Sequence, residues 1–125
     1  MPRPMRQLAA AMFCQWYAMF AYWQYITFAV GRSLYDTSDP ASAAFRAATL
    51  TAQQAGALYN FIAFLGALAL IPIVRRFGAR QTHALCLAAS GTAMLLIPGV
   101  ATPMALFVLM LGIGIGWAGM MGNTY

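Results

Sequence analysis

The chain has 125 residues, 62% of them hydrophobic and only 7% charged, with a formal net charge of +5. A soluble domain carries about a quarter charged residues, so this composition excludes an ordinary water-soluble fold and predicts an integral membrane protein. All seven cations are arginines placed at the ends of apolar runs, which reads as topology and lipid-headgroup contact rather than nucleic-acid binding.

The N-terminus, with Arg3 and Arg6 before an apolar run, has the opening of a signal peptide. The run that follows is too long and too aromatic for one, and predicts a retained first span over about 7–30. It carries Gln7, Gln15 and Gln24, and its Trp16, Phe20 and Trp23 fall at i, i+4 and i+7, on one helical stripe. Tyr17 and Gln24 share an adjoining stripe. A polar segment over 31–51 follows, with Arg32, Asp36, Asp39 and Arg46 and a turn signal at Asp39 and Pro40. Its formal charge is zero, which suits an external loop, and 42–51 could form a short surface helix. Two aspartates are too few for a metal site.

The second span covers about 52–74 and carries Gln53, Gln54, Gly56, Tyr59 and Asn60 in its first half. At 75–81 the arginines Arg75, Arg76 and Arg80 surround Gly78 in a tight turn. Arginine is costly at the bilayer centre and enriched in cytoplasmic loops, so this turn is predicted to face the cytoplasm. The third span, about 82–98, is rich in small residues that let helices approach closely in lipid. An uncharged link leads to Pro103, a favoured first helical position, and to a fourth span over about 103–122. Five arginines then lie inside and two outside, and both termini are cytoplasmic. The last span ends at Tyr125 without a basic anchor, which reads as a truncation.

Gly114, Gly116 and Gly119 match the dinucleotide pattern GxGxxG, but no strand, βαβ unit or downstream acid accompanies it. Gly112, Gly116 and Gly119 instead form a small-residue stripe for helix packing. No Asp, Glu, Lys or Arg falls within a span, and such groups are the usual proton and ion carriers. His83, beside the arginine turn, is the one candidate for a proton relay but reads rather as an interfacial residue, and Cys14 and Cys86 read as thiols packed like small apolar groups. Gln15, Gln24, Tyr59, Asn60 and Asn123 offer amides and hydroxyls either to a polyhydroxylated ligand or to neighbouring helices.

With these pieces in order, the chain resembles the sugar–proton symporters of the major facilitator superfamily, in the branch of the plant sucrose transporters and their animal and bacterial relatives. The likeness is to helices seven to ten of that twelve-helix fold. It rests on Met5 to Ala9 leading into Trp16, Phe20, Trp23, Tyr25, Thr27 and Ala29; on Tyr59 and Asn60; on Pro72, Arg76, Gly78, Arg80, Thr82, His83 and Cys86; on the run from Gly112 to Ala118; and on Asn123 with Tyr125. Arg75 stands where the superfamily's loop motif commonly has an acid, and Thr124 where relatives often have proline.

The resemblance implies an all-α, polytopic membrane protein of four transmembrane helices, a partial C-terminal half of the major-facilitator fold in the cell (inner) membrane. It implies proton-coupled uptake of a disaccharide or related glycoside, with the protons carried by residues outside this chain. Substrate would meet Gln15, Trp23, Gln24, Tyr59, Asn60, Trp117 and Asn123, while Arg75, Arg76, Gly78 and Arg80 would serve the cytoplasmic gate. The chain would supply one wall of the path, with the missing half or a full-length relative as partner. No enzyme chemistry and no cofactor are implied. Two alternatives are a four-helix protein acting as a homo-oligomer, and a non-transporting truncated product or helper subunit.

Overall fold

The computed structural model describes residues 2–122. Four α-helices follow one another: α1 (Arg3–Tyr35), α2 (Ala43–Phe77), α3 (Ala79–Leu96) and α4 (Pro103–Gly122), with a 3-10 turn, Ile97–Gly99, between the last two. Among the described residues there is no strand.

The helices are longer, and their connections shorter, than the sequence reading expects. The polar segment over 31–51 is largely helical: α1 runs on to Tyr35, α2 begins at Ala43, and only 36–42 lies between. Nothing after Ser42 breaks a helix. The break sits where Asp36 takes the left-handed conformation, φ 47°, and the Thr37 N–H closes back on the Gly31 carbonyl at 3.0 Å. A knot of short bonds then starts α2. The Ser42 hydroxyl donates to the Asp39 carbonyl at 2.8 Å and its oxygen accepts from the Phe45 N–H at 3.0 Å, a helix N-cap. At the other end the arginine turn contracts to one residue, Gly78, at φ 83° and ψ 151°. That region of backbone space is essentially reserved to glycine.

Three helices are long and apolar enough to cross a membrane: α2, α3 with its 3-10 extension, and α4. The sequence reading expects four spans; α1 is not among these three. With 33 residues α1 has ample length, but its tryptophans, tyrosines and glutamines hold its hydropathy below that of the others. Such side chains are amphipathic, at home where one side meets protein or headgroups.

The core is built on α4, which packs against α2 on one side and α3 on the other. Of its apolar window 44% is buried, against 17% for α2 and 22% for α3. Glycines make this possible on two faces. A Cβ at Gly112 would come within 2.9 Å of the Ala89 carbonyl oxygen, and one at Gly116 would overlap Ser90; both face α3. A Cβ at Gly114 would come within 2.7 Å of Ile62 and of the Tyr59 carbonyl oxygen, on α2. In lipid, where apolar side chains gain little from leaving their surroundings, such close approach and its dispersion energy hold helices together. Gly112 and Gly116 of the expected stripe therefore lie on the α3 face, and Gly114 opens a second face that the spacing did not single out.

Helix α1 joins differently. It packs along α2 and the 3-10 turn and meets α4 through side chains more than through close backbone approach. The Ser33 hydroxyl donates to the Pro98 carbonyl at 3.2 Å, and Tyr35 and Thr51 share a hydroxyl hydrogen bond of 2.7 Å. The result is a seam between α1 and α4 that side chains must fill.

An aromatic-walled cleft as candidate functional site

The seam collects all three tryptophans of the chain. Trp117 on α4 receives Trp16 and Trp23 of α1 edge-on, with ring centroids 5.8 Å and 5.7 Å away. Phe20 sits 6.0 Å from Trp16 and 5.6 Å from Trp23. Trp16–Phe20 is tilted, and the other three pairs are edge-to-face, the preference set by the ring quadrupole. The helical stripe read from the sequence is thus real, and Trp117 from another helix completes it. The Trp23 indole N–H donates to the Tyr59 hydroxyl at 3.0 Å, and Tyr59 is buried beside Tyr22, whose own hydroxyl donates to the Met110 sulfur at 3.5 Å. Trp16 and Trp23 remain 36% and 39% exposed, so part of each ring is open.

On the α3 side of the cluster is a cleft of about 100 Å³ walled by Gln15, Met19, Ser90, Gly91, Gly116 and Trp117. Pockets that enclose a whole small molecule run to about 300–1,000 Å³. This one takes the edge of a ligand. Its wall is apolar save for Gln15 and Ser90. It exists because Gly91 and Gly116 carry no side chain and because α1 stands off from α4.

One polar bridge crosses the bundle beneath the aromatic cluster. The Gln15 amide nitrogen lies 2.6 Å from Nε2 of His83, and Nδ1 of the same ring lies 3.2 Å from the Gly119 carbonyl oxygen. Helices α1, α3 and α4 meet at this one imidazole. The remaining amide atom, Gln15 Oε1, is buried with no hydrogen-bond partner. His83 was read as an interfacial residue. Its tertiary role leaves no local signal, because both partners come from distant parts of the chain.

The sequence-expected site residues divide into two groups. Gln15, Trp23, Tyr59 and Trp117 come together around the seam. Gln24 and Asn60 do not: both are exposed, and the Asn60 amide donates back to the Gly56 carbonyl of its own helix at 2.8 Å. Asn123 lies outside the described residues, as do Thr124 and Tyr125. Trp16 and Ser90, absent from the expected site, belong to it; the Trp16, Phe20 and Trp23 spacing was the signal for the first. Arg75, Arg76 and Arg80 are exposed around Gly78, with the Arg76 guanidinium 5.4 Å from the centre of the Phe77 ring. Among the described residues no three His, Cys, Asp or Glu side chains are grouped to hold a metal ion.

Comparison of the chain with protein-family models, curated proteins and solved structures gives no match.

Proposed function

We propose that this membrane protein forms one wall of a transport path for a neutral, hydroxyl-rich solute, a disaccharide or related glycoside, in the manner of helices seven to ten of a major-facilitator symporter. The observation that carries the reading is the convergence of Trp16, Trp23 and Trp117 beside Gln15 and Ser90. Aromatic faces take the apolar C–H face of a sugar ring, and amide and hydroxyl groups fix its orientation, the mixture typical of small-molecule sites. A half-open cleft on one bundle is the form expected of a substrate site shared between two halves that rock against each other. In this reading α1 also lies in the membrane, its aromatic side turned to the path, and Arg3, Arg6, Arg75, Arg76 and Arg80 mark the cytoplasmic side.

Because the three tryptophans all lie in the cluster, intrinsic fluorescence reads the site directly. Titrating the purified chain in detergent micelles with sucrose is expected to give a saturable change in emission that mannitol at equal osmolarity does not give. Trp117→Phe should reduce its amplitude. Identical responses to both solutes would refute the reading.

A second reading, a homo-oligomer, is favoured by the outer face of α1, where Phe13 and Tyr17 are 74% and 71% exposed. Crosslinking that saturates at a dimer over a dilution series would support it, and a monomer throughout would dismiss it.

A further inference from the structure

The Gln15–His83–Gly119 bridge joins three helices through two nitrogens that face each other, and its hydrogen-bond logic is closed. A carbonyl oxygen only accepts, so the contact of His83 Nδ1 with the Gly119 carbonyl oxygen requires a proton on Nδ1. In the neutral ring Nε2 then bears only a lone pair. It accepts from the Gln15 amide N–H at 2.6 Å, which leaves Gln15 Oε1 as the buried atom without a partner. Adding a proton to Nε2 makes that nitrogen a donor facing a donor. The amide must then turn over by half a rotation, so that Oε1 accepts from Nε2–H and the NH₂ group takes the unpartnered position.

We propose that His83 and Gln15 form a proton-binding switch, in which one proton taken up at His83 Nε2 inverts the Gln15 amide on the wall of the aromatic cleft. The ligand of this site is a proton from solvent. With the ring neutral, the free atom of Gln15 is a hydrogen-bond acceptor; with the ring charged, it is a donor pair. The hydrogen-bond polarity of a buried atom of the cleft residue Gln15 therefore changes with the charge on a residue of another helix. A polar atom left buried and unpaired is costly, and that cost falls on an acceptor in one state and on a donor pair in the other.

The surroundings leave His83 as the group that responds. On α3 the nearest titratable residues in sequence are Arg80 and Cys86, one turn to either side. On α1, Gln15 is flanked by the exposed Cys14, and no charged residue occurs between Arg6 and Arg32. The described part of α4 has no ionisable side chain; on α2, Arg75 and Arg76 are exposed in the last turn, Tyr59 accepts from Trp23, and Arg46 lies in the first turn at the far end of the helix. The two acids of the chain, Asp36 and Asp39, lie in the connection at the opposite end of the bundle. Arginine keeps its charge throughout, and histidine is the side chain that normally changes charge in the range of about pH 5 to 8.

The test needs no sugar, so it stands or falls apart from the transport reading. His83 is the only histidine of the chain, and protein labelled with ¹⁵N-histidine and ¹⁵N-glutamine gives one imidazole to follow by NMR in micelles. The neutral ring is expected to carry its proton on Nδ1, and the Gln15 side-chain signal, identified by its loss in Gln15→Leu, is expected to shift with the same midpoint as the ring. A neutral ring protonated on Nε2, a Gln15 signal that stays fixed while the ring titrates, or a ring that never titrates in folded protein would each overturn the proposal.

Discussion

Gly116→Ala tests most directly what holds the bundle together. The new methyl group would overlap the Ser90 Cβ, lie 2.6 Å from the Ser90 hydroxyl oxygen and 3.3 Å from the Cys86 carbonyl oxygen. Ordinary contacts between non-bonded heavy atoms lie near 3.5–4.0 Å, and the clash is with the Ser90 Cβ, which no rotamer change can move, so α3 and α4 must part locally by about 1 Å. Overpacking of this kind costs about 1–3 kcal/mol, while replacing a helical glycine by alanine returns up to about 1 kcal/mol of helix propensity. The expected net loss is about 1–2 kcal/mol. Ser90→Gly removes the obstructing Cβ and hydroxyl together. In the double variant the second substitution should therefore recover about 1 kcal/mol relative to the sum of the singles, a coupling expected only of residues in contact. Unfolding of all four proteins in mixed micelles of increasing SDS content, followed by circular dichroism, gives the cycle. A Gly116→Ala protein as stable as the parent, or strictly additive energies, would refute the packing argument. Gly91→Ala is the control: a Cβ there meets nothing within 4 Å, and stability should stay level or rise.

Other substitutions probe the ends of the helices and the seam. Gly78→Ala, at φ 83° and ψ 151°, should cost about 1–3 kcal/mol from backbone strain alone, read by the same unfolding assay. Ser42→Ala removes the oxygen that caps α2 and should cost about 1 kcal/mol, with amide exchange accelerated first in the opening turn of α2. Tyr59→Phe removes the acceptor of the Trp23 indole N–H and should cost about 0.5–1.5 kcal/mol. It should also shift tryptophan emission, and unchanged emission would contradict the bond.

Much of the architecture was legible in the order of residues because it depends on local physics. Apolar runs long enough for the bilayer, a glycine between arginines, and a proline after Thr102 mark helices and their ends wherever the chain goes. The reading failed where no such signal exists. The stretch 42–51 reads as part of the polar external segment, with a short surface helix as one option, yet it contains no breaker, and helix formers run on into the second span once Ser42 has capped it. For α1 the helix, Arg3–Tyr35, outruns the expected 7–30 at both ends, and its aromatic and amide content sets it apart from the three more apolar helices. Within the candidate site, Trp23 and Tyr59 are named by residue type, and their pairing is not. Gln24 carries the same amide as Gln15, but nine residues on it stands about half a turn away around α1, and Asn60, one step of about 100° past the buried Tyr59, is turned outward on α2.

The amino-acid sequence by itself determined a helical, membrane-suited chain, with its arginines at helix ends and small residues down its last helix, because composition and periodicity act over a few turns. Only the tertiary structure decided which of α4's glycines face α2 and which α3, that three tryptophans share one seam, and that His83 joins Gln15 to Gly119. Those facts depend on how helices far apart in sequence rotate and approach one another, and no local pattern encodes that.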